Sequence, residues 1–275
     1  MAKLDTWFDV SGKVIAITGG GGVLCGVMSR GLAKAGARVA VLDISEKAAQ
    51  AVADEIRDKG GDALAVRCDC LDRASIEAAR ERVLSVYGPA DALINGAGGN
   101  SPKATTSDEL PFFDLPEEGF RWVFDLNLMT ALLTTQVFAR DMVEREEGVI
   151  LNIASVNSFL PLTNIPAYSA AKSAIRNFTE WLAVHMAQNY SPRIRVNAIA
   201  PGFYLTEQNR FLLENPETGG YTARGQRVID HTPMARFGDP EELLGTVIWL
   251  LSAGAGFVHG VTVPVDGGFV AYSGV

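Results

Sequence analysis

At 275 residues with 48% hydrophobic residues, the chain can bury one large core and falls within the size of a single α/β domain. Its 24 basic and 32 acidic residues leave a formal charge of −8, which argues against nucleic acid or an anionic membrane surface as the main partner. No basic, apolar leader opens the chain and no uncharged apolar run reaches ~20 residues, so the expectation is a cytoplasmic protein that neither spans nor leaves the membrane.

In chain order, Lys13 to Thr18 (K-V-I-A-I-T) is a β-branched run that ends at Gly19-Gly20-Gly21-Gly22. A helical stretch from Val23 to Ala35, Gly36 and a second apolar run from Arg38 to Asp43 complete a strand, glycine turn, helix, strand unit. Such glycines let the backbone approach a pyrophosphate, and the helix amino terminus supplies free N–H groups and the positive end of its dipole. Asp43 lies 21 residues after Gly22 at a strand end, where a carboxylate accepts hydrogen bonds from the ribose 2′-OH and repels a 2′-phosphate. The predicted cofactor is therefore NAD.

The alternation continues. Ser45 caps a helix to about Lys59, Asp62 to Arg67 is a strand, and Leu71 to Tyr87 contains a helix. The cysteines Cys25, Cys68 and Cys70 are an odd number without zinc-like pairing, so no metal is predicted; Cys68 and Cys70 are read as alternate residues on a buried strand. Asp91 to Asn95 is a strand that runs into a second glycine turn, Asn95-Gly96-Ala97-Gly98-Gly99, close to the same ligand. A polar loop follows from Asn100 to Pro116, long enough to be functional. Glu117 to Val143 reads as one long helix carrying Asn127.

The apolar run G-V-I-L-N-I-A is a buried strand that delivers Ser155 to its carboxyl end, where ligands of open α/β sheets bind. Thirteen residues later Tyr168 and Lys172 stand four apart in an alanine-rich helical segment, on one face. A phenol titrates near ~10, so it works as a base at neutral pH only beside a cation that favours the phenolate, and Lys172 is placed to be that cation. Ile194 to Ala200 is a strand broken by Pro201-Gly202. From about 203 to 240 the regular alternation is lost, as in a substrate lid; Pro240 to Ser252 is a helix and V-T-V-P-V-D a last strand. No repeat or linker divides residues 1–275, so a single domain is predicted.

Taken together, T-G-G-G-G-V-L-C-G at 18–26, Asp69, N-G-A-G at 95–98, Asn127, Ser155, Y-S-A-A-K at 168–172, Asn197 and P-G-F-Y-L-T at 201–206 resemble the short-chain dehydrogenase/reductase family over essentially the whole chain. The resemblance implies a single-domain, Rossmann-like, doubly wound parallel sheet with helices on both faces, assembled into dimers or tetramers. It also implies a catalytic tetrad of Asn127, Ser155, Tyr168 and Lys172. Tyr168 would be the acid/base and Ser155 would orient the carbonyl or hydroxyl. Lys172 would hold the nicotinamide ribose and Asn127 support a proton relay. By the same resemblance the dinucleotide would meet Gly19, Gly22, Val23 and Leu24 in the first turn, and Asp69, Asn95, Gly96 and Ala97 further on. Pro201, Gly202 and Thr206 would complete that site beside Tyr168 and Lys172. One departure stands out: the family's usual T-G-x-x-x-G-x-G would place glycines at Val23 and Cys25.

Within the family, the glycine turns, P-G-F-Y-L-T-E-Q-N-R and the ending V-D-G-G-F-V-A-Y-S-G-V look like the subgroup described as D-mannonate oxidoreductases, or fructuronate reductases. The implied reaction interconverts a secondary alcohol and a ketone on a sugar acid. A polyhydroxylated carboxylate needs hydrogen-bonding groups and a cation. Asn100, Lys103, Asn157 and Arg210 are the predicted substrate contacts, with Gln208 and Asn209 beside them and Arg236 and His231 in reserve. The competing readings are a gluconate or other polyol dehydrogenase, a 3-ketoacyl reductase, and a regulator that senses NAD without turnover. The 3-ketoacyl reaction would favour NADPH and a basic docking patch, against Asp43 and the acidic balance. The intact tetrad speaks against the regulator.

Overall fold

The structure is a computed structural model and describes residues 6–206, 209–215 and 219–274. Its frame is a 7-stranded, all-parallel sheet of order β3-β2-β1-β4-β5-β6-β7. The strands are β1 (Val14–Thr18), β2 (Arg38–Asp43), β3 (Asp62–Arg67), β4 (Ala92–Asn95), β5 (Gly148–Ile153), β6 (Ile194–Pro201) and β7 (Thr262–Val265). Strands buried on both faces read as continuous apolar runs, which is why their ends agree with the sequence pattern.

Alternate residues of these strands enter two cores. On one face Ile15, Ile17, Val39, Val41 and Ile94 pack against α1 (Val23–Lys34), α2 (Glu46–Asp58) and α9 (Leu243–Leu251). On the other, Val14, Ala16, Ala40, Leu42 and Leu93 pack against α3 (Arg73–Tyr87), α5 (Thr130–Glu144) and α6 (Pro166–Asn189). Helices thus cover both faces, and the order reverses between β1 and β4, where such folds open a crevice for ligands. No helix among the described residues is long and apolar enough to cross a membrane.

Two features differ from the sequence pattern. The helix predicted from Glu117 to Val143 is α4 (Glu117–Phe124) and α5 joined by a π-helical turn, Asp125–Met129, which carries Asn127. A π turn inserts one residue into the backbone ladder without breaking the apolar pattern, so the periodicity does not reveal it. Cys68 and Cys70 lie beyond the end of β3, at Arg67, rather than on it, although both are buried and their sulfurs stand 4.0 Å apart. After β6 the described residues form the short helices α7 (Arg210–Leu213) and α8 (Ala223–Asp230) and a 3-10 turn, Pro240–Glu242, before α9.

Candidate active site

Both glycine turns leave the sheet at its reversal point, and Thr18 ties them together. Its Oγ1 accepts from Gly96 N at 3.0 Å and Ala97 N at 3.2 Å. Gly19 takes φ +65, and a Cβ there would meet the backbone of Ala97 at 3.0 Å, so only glycine lets the two turns approach this closely. A cavity of about 910 Å³ opens over them.

The first turn feeds α1, whose N-cap Gly22 offers no side-chain cap; the first helical hydrogen bond runs from Gly26 N to Gly22 O. The N–H groups of Val23, Leu24 and Cys25 are therefore left to the cavity that these residues line, as an anion such as a pyrophosphate requires. Asp43 borders the same cavity. One oxygen accepts from Gly21 N at 3.0 Å and the other from Ser45 N at 2.9 Å, which fixes the carboxylate and leaves lone pairs for ribose hydroxyls. Asp69, Gly96, Ala97, Pro201, Gly202 and Thr206 also line it. These residues fit a dinucleotide.

Cys25 accounts for the departure from the usual glycine motif. Its side chain fills space between the turns, so that a Cβ on Gly96 would lie 2.2 Å from its sulfur. Burial pushes this thiol up to about 12, against the pull of Lys172, so it stays protonated and unreactive.

Ser155, Tyr168 and Lys172 meet on the other wall. β5 ends two residues before Ser155, and α6 presents the phenol and the amine on one face. Lys172 Nζ donates to Ile153 O at 2.8 Å and sits 5.6 Å from the centre of the Tyr168 ring. Burial lowers the lysine to about 8. Burial also raises the Tyr168 phenol above its ordinary range, opposed by a hydrogen bond with Ser155. Desolvation outweighs that hydrogen bond, so the phenol is held in its protonated form at neutral pH.

Several predicted site residues stand elsewhere. Asn127 is 1% exposed and does not line the cavity. Its Nδ2 donates to Gly99 O and Val123 O, both at 2.7 Å, and its Oδ1 accepts from Gly99 N at 3.2 Å, so the amide clamps the second glycine turn. With those groups engaged, its side chain holds the second glycine turn. Asn95 likewise faces inward: Nδ2 donates to Thr135 and Asn152, and Oδ1 accepts from Thr134, in a buried polar network away from the cavity.

Of the residues expected around the substrate, Asn209 lines the cavity, whereas Asn100, Lys103, Asn157 and Arg210 do not. Asn100 donates to Thr105 Oγ1, Lys103 lies 3.7 Å from Glu118, and Arg210 pairs with Glu214 at 2.5 Å. Asn157 is buried behind Ser155. Arg236 is bound by Glu242, and His231 packs edge-on against Phe269 and Tyr272. Gln208 lies outside the described residues. Beside Asn209 the cavity takes Trp122 from α4, Leu126 and Thr130 from the π turn and α5, and Tyr204 from the segment after β6. Asn209 is named by the sequence pattern, whereas a half-exposed tryptophan on a helix gives no local signal of its role.

Comparison with known proteins agrees with this geometry. The family model described as short chain dehydrogenase matches residues 13–217. An uncharacterized oxidoreductase of Bacillus subtilis is 50% identical over 97% of this chain and 98% of its own length. A Haemophilus influenzae crystal structure, provisionally named a D-mannonate oxidoreductase and holding NAD, superposes with a TM-score of 0.91 at 47% identity, covering 97% of this chain and 98% of that one. A gluconate 5-dehydrogenase from Burkholderia cenocepacia, in complex with NADP and tartrate, gives a TM-score of 0.86 at 32% identity, with 97% and 98% covered.

Proposed function

This chain belongs to the short-chain dehydrogenase family, and we propose that it is an NAD(H)-dependent oxidoreductase interconverting a secondary alcohol and a ketone on a sugar acid, with D-mannonate and D-fructuronate as the leading pair. The observation that carries the reading is the meeting of Ser155, Tyr168 and Lys172 in the cavity that also holds Asp43 and the bare amino terminus of α1. The name of the Haemophilus influenzae structure supports the substrate.

In reduction, Tyr168 gives its proton to the carbonyl oxygen, which a phenol held protonated by burial is suited to do. Ser155 donates a hydrogen bond to the same oxygen. Lys172 holds the nicotinamide ribose and supplies positive charge as the phenolate forms. A nicotinamide held at this site would supply or accept the hydride. Asp43 accepts from the adenosine ribose, and Lys172 is the one cation among the described lining residues, so nothing there compensates a 2′-phosphate; this supports NAD over NADP.

The segment 203–240 supplies Tyr204, Thr206 and Asn209 to the cavity and is proposed as the substrate lid of a single domain. The exposed Trp181 and Val184 on α6 support a homo-oligomer, a dimer or tetramer, which sedimentation equilibrium would establish. A panel of aldonates, uronates, ketoses and neutral polyols, followed by NADH absorbance, tests the substrate. The highest kcat/KM is expected on D-mannonate or D-fructuronate, and neutral polyols matching their acids would overturn the sugar-acid reading.

A further inference from the structure

Ser155 has one proton and two acceptor lone pairs. Asn157 reaches both lone pairs: its backbone N donates to Ser155 Oγ at 3.2 Å and its side-chain Nδ2 at 3.3 Å. With both occupied, the hydroxyl proton has to point away from Asn157, toward the cavity that Ser155 lines and Asn157 does not.

The amide is locked in that sense. Its Oδ1 accepts from Leu162 N at 3.0 Å and from Ser169 Oγ at 3.0 Å. A backbone N–H can only donate, so the atom facing Leu162 must be the oxygen, and the nitrogen must face Ser155. The short turn Val156–Ser158 is held on α6 by further bonds. Ser173 Oγ donates to Asn157 O at 3.3 Å, and Ser158 Oγ donates to Lys172 O at 2.6 Å. Asn157 therefore joins the serine at the end of β5 to the helix that carries Tyr168 and Lys172.

We propose that Asn157 is a positioning residue that fixes Ser155 as a hydrogen-bond donor to the substrate oxygen. It touches neither substrate nor cofactor and acts through Ser155. The inference rests on the oxidoreductase reading above.

Asn157→Asp tests it, because the shape and the acceptor for Leu162 and Ser169 are kept while the donor becomes an acceptor. Ser155 then donates to the new carboxylate instead of the substrate. Losing one such donor typically lowers kcat by about 10²-fold, and a loss of that order is expected at pH 8 with the NADH dissociation constant unchanged within about twofold. As pH falls the introduced carboxyl takes up a proton and can donate to Ser155 again, so the deficit should shrink relative to the wild type. In a Ser155→Ala background, Asn157→Asp should cost less than about threefold more, because residues that act through one another are not additive.

A deficit that is independent of pH, or one that multiplies fully with Ser155→Ala, overturns the proposal. If Asn157→Asp fails to fold, Asn157→Ala keeps the backbone donor and should lose about 10-fold, again without adding to Ser155→Ala. A substrate-free readout separates this inference from the functional reading. The Tyr168 phenol, followed by near-ultraviolet difference absorbance against Tyr168→Phe, should titrate higher in Asn157→Ala and Ser155→Ala alike, since donation from Ser155 lowers it. An unchanged phenol in Asn157→Ala overturns the positioning role whatever the substrate proves to be.

Discussion

Gly98 and Gly99 are neighbours in the second glycine turn, yet they should respond to alanine in opposite ways. A Cβ on Gly98 would lie 2.6 Å from Asn127 Oδ1 and 3.3 Å from Lys172 Nζ, the first closer than real Cβ contacts allow. Asn127 cannot simply swing aside, because it is buried and its amide is bonded to both Gly99 and Val123. Making room breaks or strains these bonds, and each buried group left unpaired costs about 1–3 kcal/mol. Gly98→Ala should therefore lose about 2–4 kcal/mol, part of it as global stability and part as displacement of the turn and Lys172. We expect a melting temperature lower by about 2–5 °C. Calorimetry would read that shift, fluorescence titration should show about 10-fold weaker NADH binding, and kcat/KM should fall by about 10²-fold. At Gly99 the nearest neighbour of a Cβ is Leu126 Cδ2 at 3.7 Å, an ordinary contact, so Gly99→Ala should stay within about twofold of the wild type. Equal damage from both substitutions, or a Gly98→Ala enzyme indistinguishable from the wild type, would refute the clamp.

Three further outcomes follow from the same geometry. Tyr168→Phe should lower kcat by about 10²- to 10⁴-fold with NADH binding nearly intact, since the ring still packs but cannot pass a proton; near-normal turnover removes Tyr168 from its role. Asp43→Ser should weaken discrimination between NAD and NADP, and a wild-type enzyme with equal or higher kcat/KM on NADP would defeat the ribose assignment. Lys172 falls from 10.5 in the unfolded chain to about 8 in the fold, so between those values the unfolded state binds more protons. Stability relative to Lys172→Met should then rise with pH across that window, and urea titrations showing a flat or falling difference would contradict it.

Strands and their ends were legible because a doubly covered parallel sheet demands unbroken apolar runs stopped by glycine, as at Thr18 and Asn95. The alternation of Ile15 and Ile17 against Val14 and Ala16 between two cores follows from the pleat alone. What the sequence does not display is the direction of a side chain. Asn95 precedes the second glycine turn but ends a strand whose pleat turns its amide to Thr134 and Thr135 on α5. Asn127 sits in a π turn, and only coordinates show that its amide is consumed by Gly99 and Val123. Asn157 was read as a substrate contact from its distance to Ser155, and the same closeness places it behind the serine.

The predicted substrate cations each have a carboxylate partner. Arg210 has Glu214 four residues on, a helical pair that the sequence does display, whereas Lys103 finds Glu118 only through the fold of the intervening loop. Both ion pairs lie at the surface. Among the described residues the cavity keeps Lys172 as its one cation, already holding the Ile153 carbonyl, and its carboxylates are Asp43 and Asp69. A sugar acid in this site therefore meets neutral donors at its carboxylate in place of a dedicated ion pair. A neutral donor to a charged oxygen contributes about 1.5–3 kcal/mol, so the acid should be preferred over the matching neutral polyol by roughly 10- to 10²-fold in kcat/KM. Preference on that scale leaves most of the selectivity to the hydroxyl pattern read against Ser155, Tyr168 and the Trp122 wall. A ratio of 10⁴ or more would instead require an arginine or lysine that this cavity does not contain among its described residues.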